Sequence, residues 1–149
     1  MNSFPELKEV IDWRLERKII IYTQGVFDNF HLGHMSFLNK AKDYGNKLIV
    51  GIDSDDKVKK RKGINRPYQR YSDRFSFICG LQIVDVVIKK DIAPKWTYLK
   101  MVSPDIWVVS KGMYTYQDIC QARKLIGCEI IEIPRTRNIS TTILQAKKV

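Results

Sequence analysis

The chain has 149 residues, 44% of them hydrophobic and 11% aromatic, enough for one buried core, which excludes a disordered tail and a coiled coil. Its 26 Lys and Arg stand against 16 Asp and Glu, a formal charge of +10, so the expected ligand or partner is anionic: a phosphorylated small molecule, nucleic acid or an acidic membrane surface. Cys79, Cys120 and Cys128 are an odd count with no Cys-x-x-Cys spacing, which argues against a disulfide framework or a zinc knuckle and reads as reduced core thiols.

Residues 4–17 are expected to form a helix, since Leu7, Val10, Ile11 and Leu15 recur at helical spacing between charged residues. These charges leave no apolar run for a signal peptide, and nothing later approaches the roughly 18 apolar residues of a membrane span. A cytoplasmic protein without membrane insertion is the expectation. Residues 18–23 then switch to a short β-branched run, the pattern of a strand buried on both faces of a parallel sheet, and similar runs recur at 47–52, 84–88, 106–109 and 130–133. The intervening stretches 34–44, 71–81, 94–102 and 116–126 have helical character. Pro94 suits a first helical turn and Gly127 a helix C-cap, while Pro104 and Pro134 stand where strands or loops begin and end. A last helix is expected to start at Ser140, a good N-cap, and to run towards Lys148. This alternation predicts an α/β, Rossmann-like three-layer fold, a five-stranded parallel sheet with helices on both faces. No repeat or long polar linker divides the chain, so one domain over 1–149 is expected, a helix at 1–17 preceding a core at 18–149.

The only two histidines, His31 and His34, lie three apart in GVFDNFHLGH, residues 25–34, directly after the first strand. A strand, a Gly-containing turn and a helix opening near Gly33 place backbone amides and a positive helix end at the carboxyl edge of the sheet, where open α/β folds bind phosphates. Two imidazoles on that turn can donate hydrogen bonds to phosphate oxygens, and Gly33 leaves room for the phosphate to approach. The alternatives are a metal half-site or two polar helix-start residues; a catalytic metal would need a third ligand, and no His remains to supply it. The segment resembles the His-x-Gly-His nucleotidyltransferase superfamily, whose motif binds the phosphates of a nucleoside triphosphate and stabilises the transition state of nucleotidyl transfer. That resemblance implies that Gly25, Val26, Phe27, Asp28 and Gly33 line the nucleotide site and that His31 and His34 act on the triphosphate.

RTRNISTT, residues 135–142, follows the last strand. Ser140 and Thr141 alone would be ordinary N-cap chemistry, but Arg135 and Arg137 before them make a second anion site on the same sheet edge. The segment resembles the Arg-Thr-x-x-Ile-Ser-Thr-Thr signature of cytidylyltransferases, including those acting on glycerol 3-phosphate, phosphocholine and phosphoethanolamine. It implies catalytic Arg135, working with Ser140 and Thr141 on the β- and γ-phosphates, and nucleotide contacts from Thr136, Ile139 and Thr142.

Lys57, Lys59, Lys60, Arg61 and Lys62, followed by Gly63 and Arg66, form the densest cationic cluster, expected as a loop. It reads either as a solvated face or, because it follows the second strand, as a mobile positive lid over triphosphate and acceptor. Superfamily members use one or two lysines here, which selects Lys60, acting on acceptor and α-phosphate, and Lys62. Residues 51–78 also resemble the adenylyltransferase domain that activates heptose 1-phosphate, and archaeal FAD synthetases. In those the Arg of an Asp-Arg pair organises the site, here Arg74, although Asp73 and Arg74 read equally as a helix-start charge pair. Lys111 and Gly112 stand where the family places a glycine loop near the base. Two positions depart from the family: Met113 and Tyr114 replace a common acidic residue, and Gln82 replaces a common arginine.

The expected activity is therefore transfer of CMP from CTP, favoured over ATP, to a small phosphorylated acceptor, releasing pyrophosphate, with Mg²⁺ bridging the nucleotide phosphates and no metal ligand assigned to the protein. The alternative is an ATP-dependent adenylyltransferase acting on a heptose-type sugar phosphate or FMN. A rival of another class, a nucleic-acid-binding module using Lys57 to Lys62 with Tyr68 and Tyr71, is less favoured. Related enzymes are commonly dimers, and the apolar positions of the first helix leave a homodimer open.

Overall fold

All five apolar runs form strands in a computed structural model that describes residues 7–134. In chain order the elements are α1 (Lys8–Leu15), β1 (Ile20–Gly25), α2 (Leu32–Lys42), β2 (Lys47–Asp53), α3 (Asp55–Lys62), α4 (Tyr71–Cys79), β3 (Val86–Lys90), α5 (Thr97–Val102), β4 (Ile106–Ser110), α6 (Tyr116–Ile126) and β5 (Glu129–Ile133). The strands pair in the order β3-β2-β1-β4-β5, all parallel. The chain thus starts in the middle of the sheet, builds outwards to β3, and returns across β1 to β4. That reversal is the topological switch point at which α/β sheets bind ligands.

Alternation along the buried strands supplies two cores, one per face. Ile20, Tyr22, Ile49, Ile88 and Trp107 face α1, α5 and α6. Ile21, Leu48, Val50, Val87 and Val108 face α2 and α4, meeting Leu38, Ala41 and Ile78. Fully burying each such side chain stabilises the fold by roughly 1.5–3 kcal/mol before chain entropy is subtracted. Leu7, Val10 and Trp13 of the first helical segment join the first core, so this segment is part of the same packed body as the strands. Of the four apolar positions at helical spacing, Leu7 and Val10 enter the core while Ile11 is 66% and Leu15 78% exposed, because Trp13 takes the inward face of this short helix. Of the cysteines, which are all free, Cys128 is buried but Cys79 is exposed, so Cys79 is not a core thiol.

The principal difference lies in the cationic run, which is helix α3 and not a loop. Its ends explain it. The Ser54 side chain accepts from the Lys57 amide at 3.2 Å, Asp55 and Asp56 occupy the first turn, four cations occupy the last, and Gly63 at φ 102° ends it. The charges match the helix dipole at both ends, and Val58 alone supplies a buried apolar anchor, so periodicity could not reveal it. The second helix opens at Leu32, two residues before the expected position, and α5 begins at Thr97, after Trp96 in the left-handed region, so Pro94 lies upstream of the helix. The first and third strands run two residues further than expected, to Gly25 and Lys90. No helix among the described residues is long and apolar enough to cross a membrane. The expected helix from Ser140, with Arg135, Thr136, Arg137, Ile139, Thr141 and Thr142, lies outside the described residues.

Candidate active site

The carboxyl ends of β1, β2, β3 and β4 open into one cleft of about 510 Å³. Its first wall is the turn after β1, where Phe27 and Asn29 hold φ of 54° and 48°. That sharp turn brings His31 to the N-cap of α2. The His31 Nδ1 accepts from the Gly33 amide at 3.0 Å, and the His34 Nδ1 accepts from the His31 amide at 3.2 Å. The two histidines therefore close a reciprocal capping box, the role a Ser and a Glu usually share. The chemistry follows from the cap. With Nδ1 accepting, each neutral ring carries its proton on Nε2, a donor left for a ligand. The rings stack 3.9 Å apart, and Phe27 and Phe30 pack on His34. Burial, first, and His31 beside it push His34 down to about 4, outweighing the opposing influence of Asp28. Burial likewise lowers His31. Both imidazoles are thus neutral Nε2–H donors near pH 7.

Two polar clamps hold this wall. Asp28, buried, accepts from the amides of Tyr68 at 2.7 Å and Gln69 at 2.9 Å, while Arg66 Nε lies 3.7 Å away. Arg74, also buried, donates to the carbonyls of Val26, Asp53 and Gln69 and to the Asp55 carboxylate at 2.7 Å. It ties the β1 turn, the end of β2 and the loop before α4 to one guanidinium. Asp73 pairs instead with Arg70 at 3.6 Å, which removes the reading of Asp73 and Arg74 as a charge pair.

The second wall comes from α3, β2 and β3. Arg61, Lys62 and Lys90 line the cleft with Asp53, and Arg66 lines it from the loop after α3. Lys90 Nζ and Arg61 stand 3.4 Å from the Asp53 carboxylate and Lys57 Nζ 3.9 Å. Burial, reinforced by Arg61 and Arg66, lowers Lys62. The third wall, from β4 and β5, is different in kind: Val108, Val109, Met113, Tyr114, Ile133 and Pro134 offer mostly apolar surface.

Of the residues expected in the site, Gly25, Val26, Phe27, Asp28, His31, Gly33, His34 and Lys62 line the cleft. Arg74 lies beneath it. Lys60 is exposed and outside the cleft, since on a helix the residue two before Lys62 turns to another face; Arg61 and Lys62 face inwards. Lys111 and Gly112 are likewise exposed and outside it, while their neighbours Ser110, Met113 and Tyr114 line it. Gln82 is exposed and away from the cleft, so of the two departures only that at Met113 and Tyr114 touches the site. Sequence reasoning missed Gln24, Asp53 and Lys90, and named Arg66 only as part of the cationic cluster. The signal for two of them was position: Asp53 and Lys90 are the last residues of their strands, and strand ends build such sites.

Residues 22–147 match the family model described as cytidylyltransferase-like. The chain belongs to the cytidylyltransferase-like family. It is accordingly a nucleotidyltransferase of the His-x-Gly-His superfamily. Among curated relatives, the bifunctional protein HldE of Helicobacter hepaticus is 35% identical over 136 residues, covering 89% of this chain and 28% of that protein. HldE of Nitratiruptor is 40% identical over 131 residues, covering 87% of this chain and 27% of the relative. This cytidylyltransferase-like chain therefore spans about a quarter of these relatives' length. Among solved structures, a lipopolysaccharide core biosynthesis protein of Thermoplasma volcanium superposes with a TM-score of 0.68 at 25% identity, over 80% of this chain and 97% of that one. A pantoate-β-alanine ligase of Francisella tularensis, at 18% identity and a TM-score of 0.60 over 83% of this chain and 61% of its own, shares the fold.

Proposed function

We propose that this chain is an adenylyltransferase that moves AMP from ATP to a small sugar 1-phosphate and releases pyrophosphate. The observation that carries transfer to a phosphate is the pair of stacked, neutral imidazoles, whose Nδ1 atoms are held by the backbone and whose Nε2–H groups are left for phosphate oxygens. The choice of ATP and a sugar phosphate over CTP is supported by the similarity of residues 51–78 to the heptose 1-phosphate adenylyltransferase domain, by relatives named HldE, and by the neighbour named for lipopolysaccharide core biosynthesis.

The two sides of the cleft divide the work. The apolar wall at Val109, Met113 and Tyr114 suits the flat base, and the cationic wall at Lys62 suits the acceptor phosphate. An acceptor phosphate oxygen is already nucleophilic near neutral pH, so the reaction needs no covalent enzyme intermediate. The protein's task is to hold two anions in line at the α-phosphorus and to stabilise charge on the phosphoryl oxygens and leaving pyrophosphate. His31, His34 and Lys62 supply donors for that charge. Both carboxylates of the cleft are already engaged, Asp28 by two amides and Asp53 by three cations. Mg²⁺ is therefore expected to arrive on the nucleotide phosphates as part of the substrate.

The test is pyrophosphate release from each of the four nucleoside triphosphates against a panel of sugar phosphates, glycerol 3-phosphate and FMN. Release with ATP and a sugar 1-phosphate is the expected result. Release with CTP alone would overturn the adenylyl reading.

A further inference from the structure

The floor of the cleft carries polar groups that phosphate binding does not use. Asp53 is 2% and Lys90 6% exposed, yet both line the cleft. Asp53 Oδ1 makes no hydrogen bond and is held by ion pairs, with Lys90 Nζ at 3.4 Å and Lys57 Nζ at 3.9 Å. Gly51 makes this placement possible. A Cβ there would stand 2.5 Å from the Tyr22 hydroxyl and 2.8 Å from Lys90 Cδ, so any side chain at 51 would push the Lys90 stem off the strand.

A second donor enters from the opposite side. The Tyr22 hydroxyl donates to Gln24 Oε1 at 2.8 Å, and Gln24 Nε2 donates to the Tyr114 hydroxyl at 2.8 Å. The chain of bonds runs one way, so the Tyr114 oxygen is already an acceptor and its hydrogen is left for the cleft. The floor therefore offers a carboxylate oxygen that ion pairs hold but no hydrogen bond occupies, beside an ammonium and a phenol that donate. A hydroxyl group meets both demands at once, donating to Asp53 and accepting from Lys90 or Tyr114, and adjacent hydroxyls on one carbon skeleton extend the pattern. A cationic head group fits poorly here, because Lys57, Arg61 and Lys90 surround the one carboxylate.

We infer that Asp53, Lys90 and Tyr114 form the acceptor-specificity subsite and that it reads the hydroxyl groups of a polyhydroxylated, uncharged acceptor body. Lys62 lines the same cleft as Asp53 and Lys90, so an acceptor whose phosphate sits at Lys62 can extend its hydroxylated body over Asp53 and Lys90. The identity of the transferred nucleotide rests on the adenylyl-transfer reading; the hydroxyl preference does not.

Binding of hexose 1-phosphates (glucose, galactose and mannose) and of ethyl phosphate, which shares the phosphate but lacks the hydroxyls, separates the two. The full chain should bind at least one hexose 1-phosphate about tenfold or more tighter than ethyl phosphate, as loss of a hydrogen bond to a charged group implies. Phosphocholine should bind no better than ethyl phosphate. Lys90→Met and Tyr114→Phe should each erase most of the hexose preference while leaving ethyl phosphate affinity within about twofold, Lys90→Met should also leave ATP affinity within about twofold, and Lys90→Arg should restore part of the preference. These titrations need no turnover, so they stand even if no nucleotide is consumed, the result that would sink adenylyl transfer. Equal wild-type affinity for hexose and ethyl phosphates, or a hexose preference intact in Lys90→Met, would overturn the subsite. A folded Lys90→Met that loses ATP affinity as well would also overturn it, by placing Lys90 on the nucleotide.

Discussion

Replacing His34 with Gln separates the helix-capping role of this residue from its titration. A Gln at the third helical position can still accept the His31 amide, as Gln does in ordinary capping boxes, but it carries no titratable group. His34 sits at about 4 in the fold against 6.5 for a free imidazole, so between those values the unfolded chain binds more protons than the folded one. The sign follows: this contribution is complete above about pH 6.5 and is lost as pH falls towards 4. Its ceiling is roughly 3 kcal/mol, and roughly 2 kcal/mol of it should be gone by pH 5. The structural cause is direct, since a proton on Nδ1 would set two donors face to face at the His31 amide. Urea unfolding followed by tryptophan fluorescence at pH 7.5, 6.5, 5.5 and 5.0 measures it as the stability of the wild type minus that of His34→Gln. The difference removes the carboxylates and His31, which titrate in both proteins. A difference that stays constant over this range would refute the reasoning.

Lys62→Met should lower turnover by about a hundredfold, through loss of one charged donor at the transferring phosphate, whereas Lys60→Met should stay within about twofold in kcat/KM under the same pyrophosphate-release assay. Asp28→Ala should lower unfolding free energy by about 2–4 kcal/mol in chemical denaturation, because the buried Tyr68 and Gln69 amides lose a charged acceptor together. Arg74→Met should cost about 3 kcal/mol or more by the same measurement, because three backbone carbonyls and Asp55 lose their shared donor.

The sheet was legible because its central strands, buried on both faces, are almost wholly apolar, while the edge strands β3 and β5 still carry runs of Val and Ile beside their Lys and Glu residues. The histidine pair was legible for a different reason: the same two side chains cap the helix and face the cleft, so local chemistry fixes their position. Helix α3 was not legible by periodicity, because one buried residue, Val58, is too little to produce a pattern. Its capping serine and ordered charges were present in the sequence all the same. Lys60 was chosen alongside Lys62 because a lid read as a loop gives no facing, while on the helix Lys62 lines the cleft and Lys60 does not. Lys90 escaped because its strand was ended two residues early, and a lysine just past a strand reads as solvent-facing. Asp28 lines the cleft, but its binding to the Tyr68 and Gln69 amides joins segments forty residues apart, which no local pattern reveals.

The guanidinium of Arg74 has a kinetic meaning. Val26, Asp53 and Gln69 end three separate stretches of backbone, and one rigid planar group fixes their mutual distances before any substrate arrives. In the proposed transfer, dipoles already oriented need no rearrangement as charge migrates to the leaving pyrophosphate, so the reorganisation that water would undergo around the same reaction is largely absent. Any motion that admits and releases substrate then falls to segments that Arg74 does not anchor, of which the stretch after β4, carrying Met113 and Tyr114, faces the cleft from the opposite side.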